Sequence, residues 1–98
     1  FQPHTYSRTI ALLPEFAKAL ENADVVILAE IYAAREVNTT GVSAEDISKL
    51  MDQSKVTSFY LPTFEEIEDY LRSHLEEGDL CITMGAGNVT DIGPKLVQ

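Results

Sequence analysis

Basic residues are scarce in this 98-residue sequence: seven Lys and Arg stand against sixteen Asp and Glu, a formal charge of -9. Nucleic acids and anionic membrane surfaces are bound mainly through Lys and Arg, so this balance disfavours both as partners. Cysteine occurs once, as Cys81, which excludes an intramolecular disulfide. It lies in the apolar stretch Leu80-Cys81-Ile82, where a buried, inert thiol is expected. No apolar run approaches the roughly 20 residues that a helix needs to cross a bilayer, and no basic-then-apolar leader opens the sequence. The expectation is a cytoplasmic chain. No zinc or calcium spacing occurs, so no metal ligand is assigned. No G-x-S-x-G elbow occurs either, and no catalytic residue is assigned.

Phosphate-binding loops are also missing. There is no G-x-x-x-x-G-K-[ST] segment, which would be needed to hold ATP phosphates in the usual manner. Gly85-Ala86-Gly87 invites a nucleotide reading, but a dinucleotide fingerprint needs a third Gly or Ala where Thr90 stands. It also needs an acidic residue about 20 positions on, past the end at Gln98.

What is present is a small-domain composition, 45% hydrophobic and 23% charged, enough for one core over residues 1–98. Ile10, Leu13, Phe16, Ala17 and Leu20 recur at helical spacing. Pro14 is tolerated only in a first turn, so either a short turn precedes a helix starting near Leu13 or one helix from Thr9 bends there. Val25-Val26-Ile27-Leu28-Ala29-Glu30-Ile31-Tyr32 has a continuous β-branched character, as in a strand covered on both faces. Residues 33–42 then form a loop at the C-terminal end of that strand, the edge where open α/β sheets bind ligands, and Arg35 and Glu36 stand on it. The residues alone leave open whether this pair is solvated, touches a substrate, or lies at a domain interface. Ser43 with Asp46 opens a helix over 44–53, and residues 57–61 form a strand. Thr63 with Glu66 opens a second helix that runs from 64 to about 77, with Gly78 as its stop. Residues 80–84 are the next strand and 89–97 the last helix, capped by Asn88 or Thr90. Strand and helix alternate throughout, which predicts an α/β domain with a mostly parallel sheet flanked by helices.

The densest chemistry lies in the first eight residues, Phe1-Gln2-Pro3-His4-Thr5-Tyr6-Ser7-Arg8. Pro3 argues against a central strand, so His4 is expected on a loop, with Ser7 or Thr9 capping the following helix. Backbone N–H groups at that helix start, together with Arg8 and His4, suit a carboxylate or a phosphate. Arg8 as a surface residue and His4 as a capping or packing residue is the alternative from spacing alone.

The octet resembles the FQPH-x-[YF]-[ST]-R-T signature in the C-terminal domain of the MurC-type UDP-N-acetylmuramate:L-alanine ligases. Glu15-Phe16, Ala19-Leu20, Ala23-Asp24, the stretch from Ile31 to Glu36, and Met84-Gly85-Ala86-Gly87-Asn88 follow in the family's order, covering nearly the whole chain. The resemblance implies a Rossmann-like Mur ligase C-terminal domain that is N-terminally truncated. Phe1-Gln2-Pro3, with no initiator Met, reads likewise as the exit from a strand. It implies a part of an ATP-dependent amide ligase of peptidoglycan synthesis, in which ATP phosphorylates the muramoyl carboxylate of UDP-N-acetylmuramate and the amine of L-alanine attacks the acyl phosphate. ATP and Mg2+ would belong to the full-length enzyme, bound on a central domain outside this chain, and none to the fragment alone. The partners would be the missing N-terminal and central domains. By the same resemblance His4 and Arg8 map near the amino-acid substrate, with Gly85, Ala86, Gly87 and Asn88 lining the pocket. Many members carry Arg where Thr5 stands here, which removes one cationic contact. A free-standing, non-catalytic α/β binding module is the rival class, distinguished by the absence of a Walker-type loop upstream.

Overall fold

Helix and strand positions follow local hydrogen bonding once the apolar pattern has chosen the element. The computed structural model describes residues 1–97; Gln98, the last residue of the expected domain, lies outside them. Eight short elements succeed one another: α1 (Tyr6–Ala11), α2 (Leu13–Leu20), β1 (Val25–Leu28), α3 (Glu45–Leu50), β2 (Thr57–Tyr60), α4 (Phe64–His74), a 3-10 turn (Asn88–Asp91) and α5 (Ile92–Leu96).

The Pro14 question resolves into two helices broken at Leu12. Pro14 occupies the first turn of α2, where its missing N–H costs nothing. Helix α4 begins with a full capping box: Thr63 Oγ1 accepts from Glu66 N at 3.2 Å, and the Glu66 carboxylate accepts from Thr63 N at 3.3 Å. It stops at His74 and not near Glu77, because Asp79 Oδ2 takes the Glu76 N–H at 2.9 Å and Gly78 turns the chain with φ +96°. Helix α3 likewise ends at Leu50, short of Gln53, whose side-chain amide donates back to Ser48 O at 3.3 Å.

Strands β1 and β2 pair in parallel, Val25 opposite Thr57 through Leu28 opposite Tyr60, with α3 in the crossover between them. The strand expected over 25–32 is only half as long by pairing with β2, since Leu61 N closes that ladder on Leu28 O at 3.0 Å. Beyond that point the backbone changes partner. Ala29 N donates to Phe1 O at 2.9 Å, Tyr32 N to Pro3 O at 2.9 Å, and Thr5 N to Tyr32 O at 2.8 Å. Parallel bridges join His4 to Tyr32 and Gln2 to Gly85, so the sheet reads β2, β1, residues 1–4, then residue 85.

Two expectations are corrected by this arrangement. Pro3 does not keep the first residues out of the sheet: it lacks one donor, but Gln2 N still reaches Met84 O at 3.0 Å and Pro3 O still accepts. Residues 80–84 do not form a strand, and Cys81 is exposed. They run alongside residue 2 only at Met84, and without a paired backbone the apolar pattern alone does not make a strand.

Alternation along β1 separates two apolar layers. Val26 and Leu28 face Ala17, Ile47, Met51 and Val56 beneath α2 and α3. Ala29 on the other face meets Ile67, Leu71, Val89 and Ile92 beneath α4 and α5, with Ile27 packed against them. The result is an α/β molecule with a small parallel sheet between helices.

Candidate functional site

The end of the sheet at which β1 gives way to Glu30, Ile31 and Tyr32 gathers most of the polar residues singled out in the sequence. His4 pairs with Tyr32 along the backbone and lies over its ring, centroids 5.7 Å apart and planes 15° from parallel. His4 Nδ1 is buried with no protein partner. Gln2, 8% exposed, stands two residues earlier on the same extended segment; its amide donates to Glu30 O at 3.1 Å, which fixes Oε1 on the opposite side, buried and unpartnered.

That oxygen points toward the glycine loop. A Cβ placed on Gly87 would lie 2.6 Å from Gln2 Oε1 and 2.8 Å from Tyr32 Cδ2, and one on Gly85 would lie 2.9 Å from Gln2 O. The glycines are therefore required by close approach of the loop to Gln2 and Tyr32. Gly87 has φ -103°, so left-handed backbone is not its reason. Ala86 and Asn88 are exposed at the rim, and neither Asn88 nor Thr90 caps the 3-10 turn with its side chain.

Arg8 sits in the first turn of α1, exposed. Among the described residues its guanidinium has no hydrogen-bond or ion-pair partner, although sixteen carboxylates are present in the sequence. The nearby Glu36 is committed elsewhere. Its Oε1 accepts from Tyr6 N at 2.7 Å and from Ser7 N at 3.0 Å, and its Oε2 accepts from the Ser7 hydroxyl. The Ser7 hydroxyl, then the Ser7 N–H, hold the Glu36 carboxyl below its ordinary range, with Tyr6 N–H and the His4 ring acting the same way against a burial effect that raises it.

This changes the expected anion site. The free N–H groups at the start of α1 are occupied by the chain's own carboxylate, and the cap is Thr5, whose Oγ1 accepts from Arg8 N at 3.3 Å, not Ser7 or Thr9. Thr9 instead donates its hydroxyl to Thr5 O at 2.7 Å. Arg35, next to Glu36, is exposed on the loop without a partner among the described residues.

Sequence reasoning missed Gln2, Glu30, Tyr32 and Tyr60. Tyr60, at the end of β2, donates its hydroxyl to the Glu30 carboxylate, and burial first and then that bond raise the Tyr60 phenol above its ordinary value. A polar or aromatic residue just past an apolar strand was the available signal for Glu30 and Tyr32. The broad depression lined by Glu15, Lys18, Glu21, Asn22 and Lys55 lies on the outside of α2 and involves none of these residues.

No family model matches the sequence. Curated relatives do, from end to end. The UDP-N-acetylmuramate–L-alanine ligase of Agathobacter rectalis is 57% identical over 98 residues, covering 100% of this chain and 21% of the relative. This chain matches a segment of the UDP-N-acetylmuramate–L-alanine ligases. The ligases of Lachnospira eligens and of Caldanaerobacter subterraneus subsp. tengcongensis are 49% and 46% identical, each again matching 100% of the chain. The chain spans about a fifth of the length of these ligases, 21% in each case. Among the described residues no helix is long and apolar enough to cross a membrane, and no group of three or more His, Cys, Asp or Glu is placed to hold a metal.

Proposed function

We propose that the chain is most of the C-terminal domain of an ATP-dependent ligase that joins L-alanine to UDP-N-acetylmuramate in peptidoglycan synthesis, and that it contributes to binding the amino acid. The observation that carries this reading is Arg8: an exposed, unpaired guanidinium in a chain of net charge -9, in the first turn after His4 and the sheet end. A small zwitterion offers it a carboxylate, and charge-assisted bonds to that carboxylate orient the amine for attack on an acyl phosphate. His4, steadied by its stack on Tyr32, stands beside it in the sequence as a second polar contact. Gly85 and Gly87 serve by letting the loop close on Gln2 and Tyr32, and Ala86 and Asn88 meet the substrate at the rim.

The glycine loop approaches Gln2, Tyr32 and Val89 so closely that a side chain on Gly85 or Gly87 would meet them, which fits packing against the sheet end. ATP and Mg2+ are assigned to the remainder of the polypeptide, and the domain closes over them.

The test is Arg8→Ala in the full-length ligase. Losing a charged hydrogen-bond partner costs about 1.5 to 3 kcal/mol, so KM for L-alanine should rise on the order of 10- to 100-fold. KM for ATP should stay where it was. A changed ATP term with normal alanine use would make Arg8 a phosphate or interface residue and end this reading.

A further inference from the structure

Helix α1 has six residues, too few to hold its own shape or direction in water, so something outside it must fix where Arg8 points. The pins come from the 33–42 loop. Glu36 reaches across from the 33–42 loop and takes three donors at the start of α1: Tyr6 N, Ser7 N and the Ser7 hydroxyl. The backbone on both sides of this contact is held in an unfavourable conformation. Among the described residues only Thr5 and Ala34 combine a side chain with positive φ, at +62° and +56°. One immediately precedes α1 and the other lies two residues before Glu36. Such strained positions persist where surrounding contacts over-determine them, and they concentrate at functional sites.

We infer that Glu36 is a positioning residue: its carboxylate clamps the first turn of α1 to the loop and so sets the direction of Arg8. This rests on the reading of Arg8 as the contact for the substrate carboxylate. Glu36 has a second effect in the same place. Its charge already fills the start of α1, so an incoming carboxylate is repelled from the backbone donors there and left to the guanidinium.

The experiment is a double-mutant cycle in the full-length ligase, read as KM for L-alanine and KM for ATP. Glu36→Ala should raise the alanine KM about tenfold and leave the ATP term within about twofold. Glu36→Gln keeps an acceptor for Tyr6 and Ser7 N–H and should recover most of that loss. In an Arg8→Ala background Glu36→Ala should add less than about twofold, because the group it acts through is gone. Additive effects would overturn the proposal, as would a Glu36→Ala enzyme that melts earlier but has normal alanine kinetics. If Arg8→Ala matters and Glu36→Ala does not, the clamp is wrong and the Arg8 reading stands. If Arg8→Ala has no effect, that reading falls, and any remaining Glu36 effect also sinks the clamp, since it cannot pass through Arg8. Should Glu36→Ala fail to fold, Glu36→Asp, which keeps the charge but is one methylene too short for the α1 donors, takes its place against Arg8→Ala and is read by the same criteria.

Discussion

The two stretches that meet where Gln2 N reaches Met84 O behave differently, and the more apolar of them is the one left without pairing. At one end residues 1–5 are tied to Tyr32, Ala29 and Met84 by backbone bonds of 2.8 to 3.0 Å, and Gly87 closes on Gln2 and Tyr32. At the other, residues 80–83 make no backbone hydrogen bond among those described, and Leu80 and Ile82 are 85% and 65% exposed. Leu80-Cys81-Ile82-Thr83 is the more apolar and the more β-branched of the two. Pairing on each side is what differs, and it decides which stretch becomes a rigid platform for a site.

The largest effect that sharpens this contrast belongs to the paired centre. Leu28 is fully buried between the sheet and α2 with α3, so Leu28→Ala should lower unfolding stability by about 2 to 5 kcal/mol. Ile82→Ala, also a loss of a large aliphatic chain, should stay within about 0.5 kcal/mol because water already covers it. Urea titration of the two variants side by side measures the contrast. Equal losses would mean that residues 80–84 are as well packed as β1.

An intermediate effect is expected at the locked end. Gly87→Val must displace Gln2 Oε1 and the Tyr32 ring, an overpacking cost of about 1 to 3 kcal/mol. If the loop's duty is only this packing, thermal stability falls while the surviving full-length ligase keeps its alanine KM. A raised alanine KM with larger amino acids excluded more than alanine would place the loop in the pocket itself.

The smallest effect concerns acid. A carboxyl whose folded pKa is depressed stabilises the fold above its unfolded pKa, and that stabilisation is lost as pH falls through the folded value. Glu36 is in this class through Ser7 and Tyr6, and Asp52 through the Ser54 hydroxyl and N–H. Both are solvent-exposed enough that the contribution is small. Unfolding curves of the parent and Glu36→Gln should therefore differ near neutral pH and converge as pH drops below the ordinary carboxylate range. A gap that widens in acid would reverse the assigned sign.

Element types were legible where one local pattern sufficed. The Thr63 and Glu66 spacing located α4, and the apolar run before Glu30 located β1. Helix ends were not, since Gln53 and Asp79 stop their helices with side chains whose reach depends on the turn already formed. The expected strand at 80–84 and the expected buried thiol at Cys81 failed together, because both assumed a neighbouring backbone that a pattern of residue types does not reveal. In the candidate site, His4 stacks on Tyr32 while Gly85 and Gly87 approach Gln2 and Tyr32, so the link between the octet and the glycine loop runs through two residues to which sequence reasoning gave no role. The role of Glu36 was invisible: a bond spanning 30 residues to Tyr6 has no local signature.

The bridge from Gln2 to Gly85 joins opposite ends of the chain, and this has a consequence for how the molecule assembles. The β1 and β2 pairing with α2 and α3 needs only residues 13–60, whereas the platform under His4 cannot close until residues 84–87 arrive. Closing so long a loop is entropically slow and gains nothing until the contact is made. During refolding the amides of Val26 and Leu28, which face β2, are accordingly expected to resist hydrogen exchange before that of Gln2, so the region proposed to bind substrate is the last to become native.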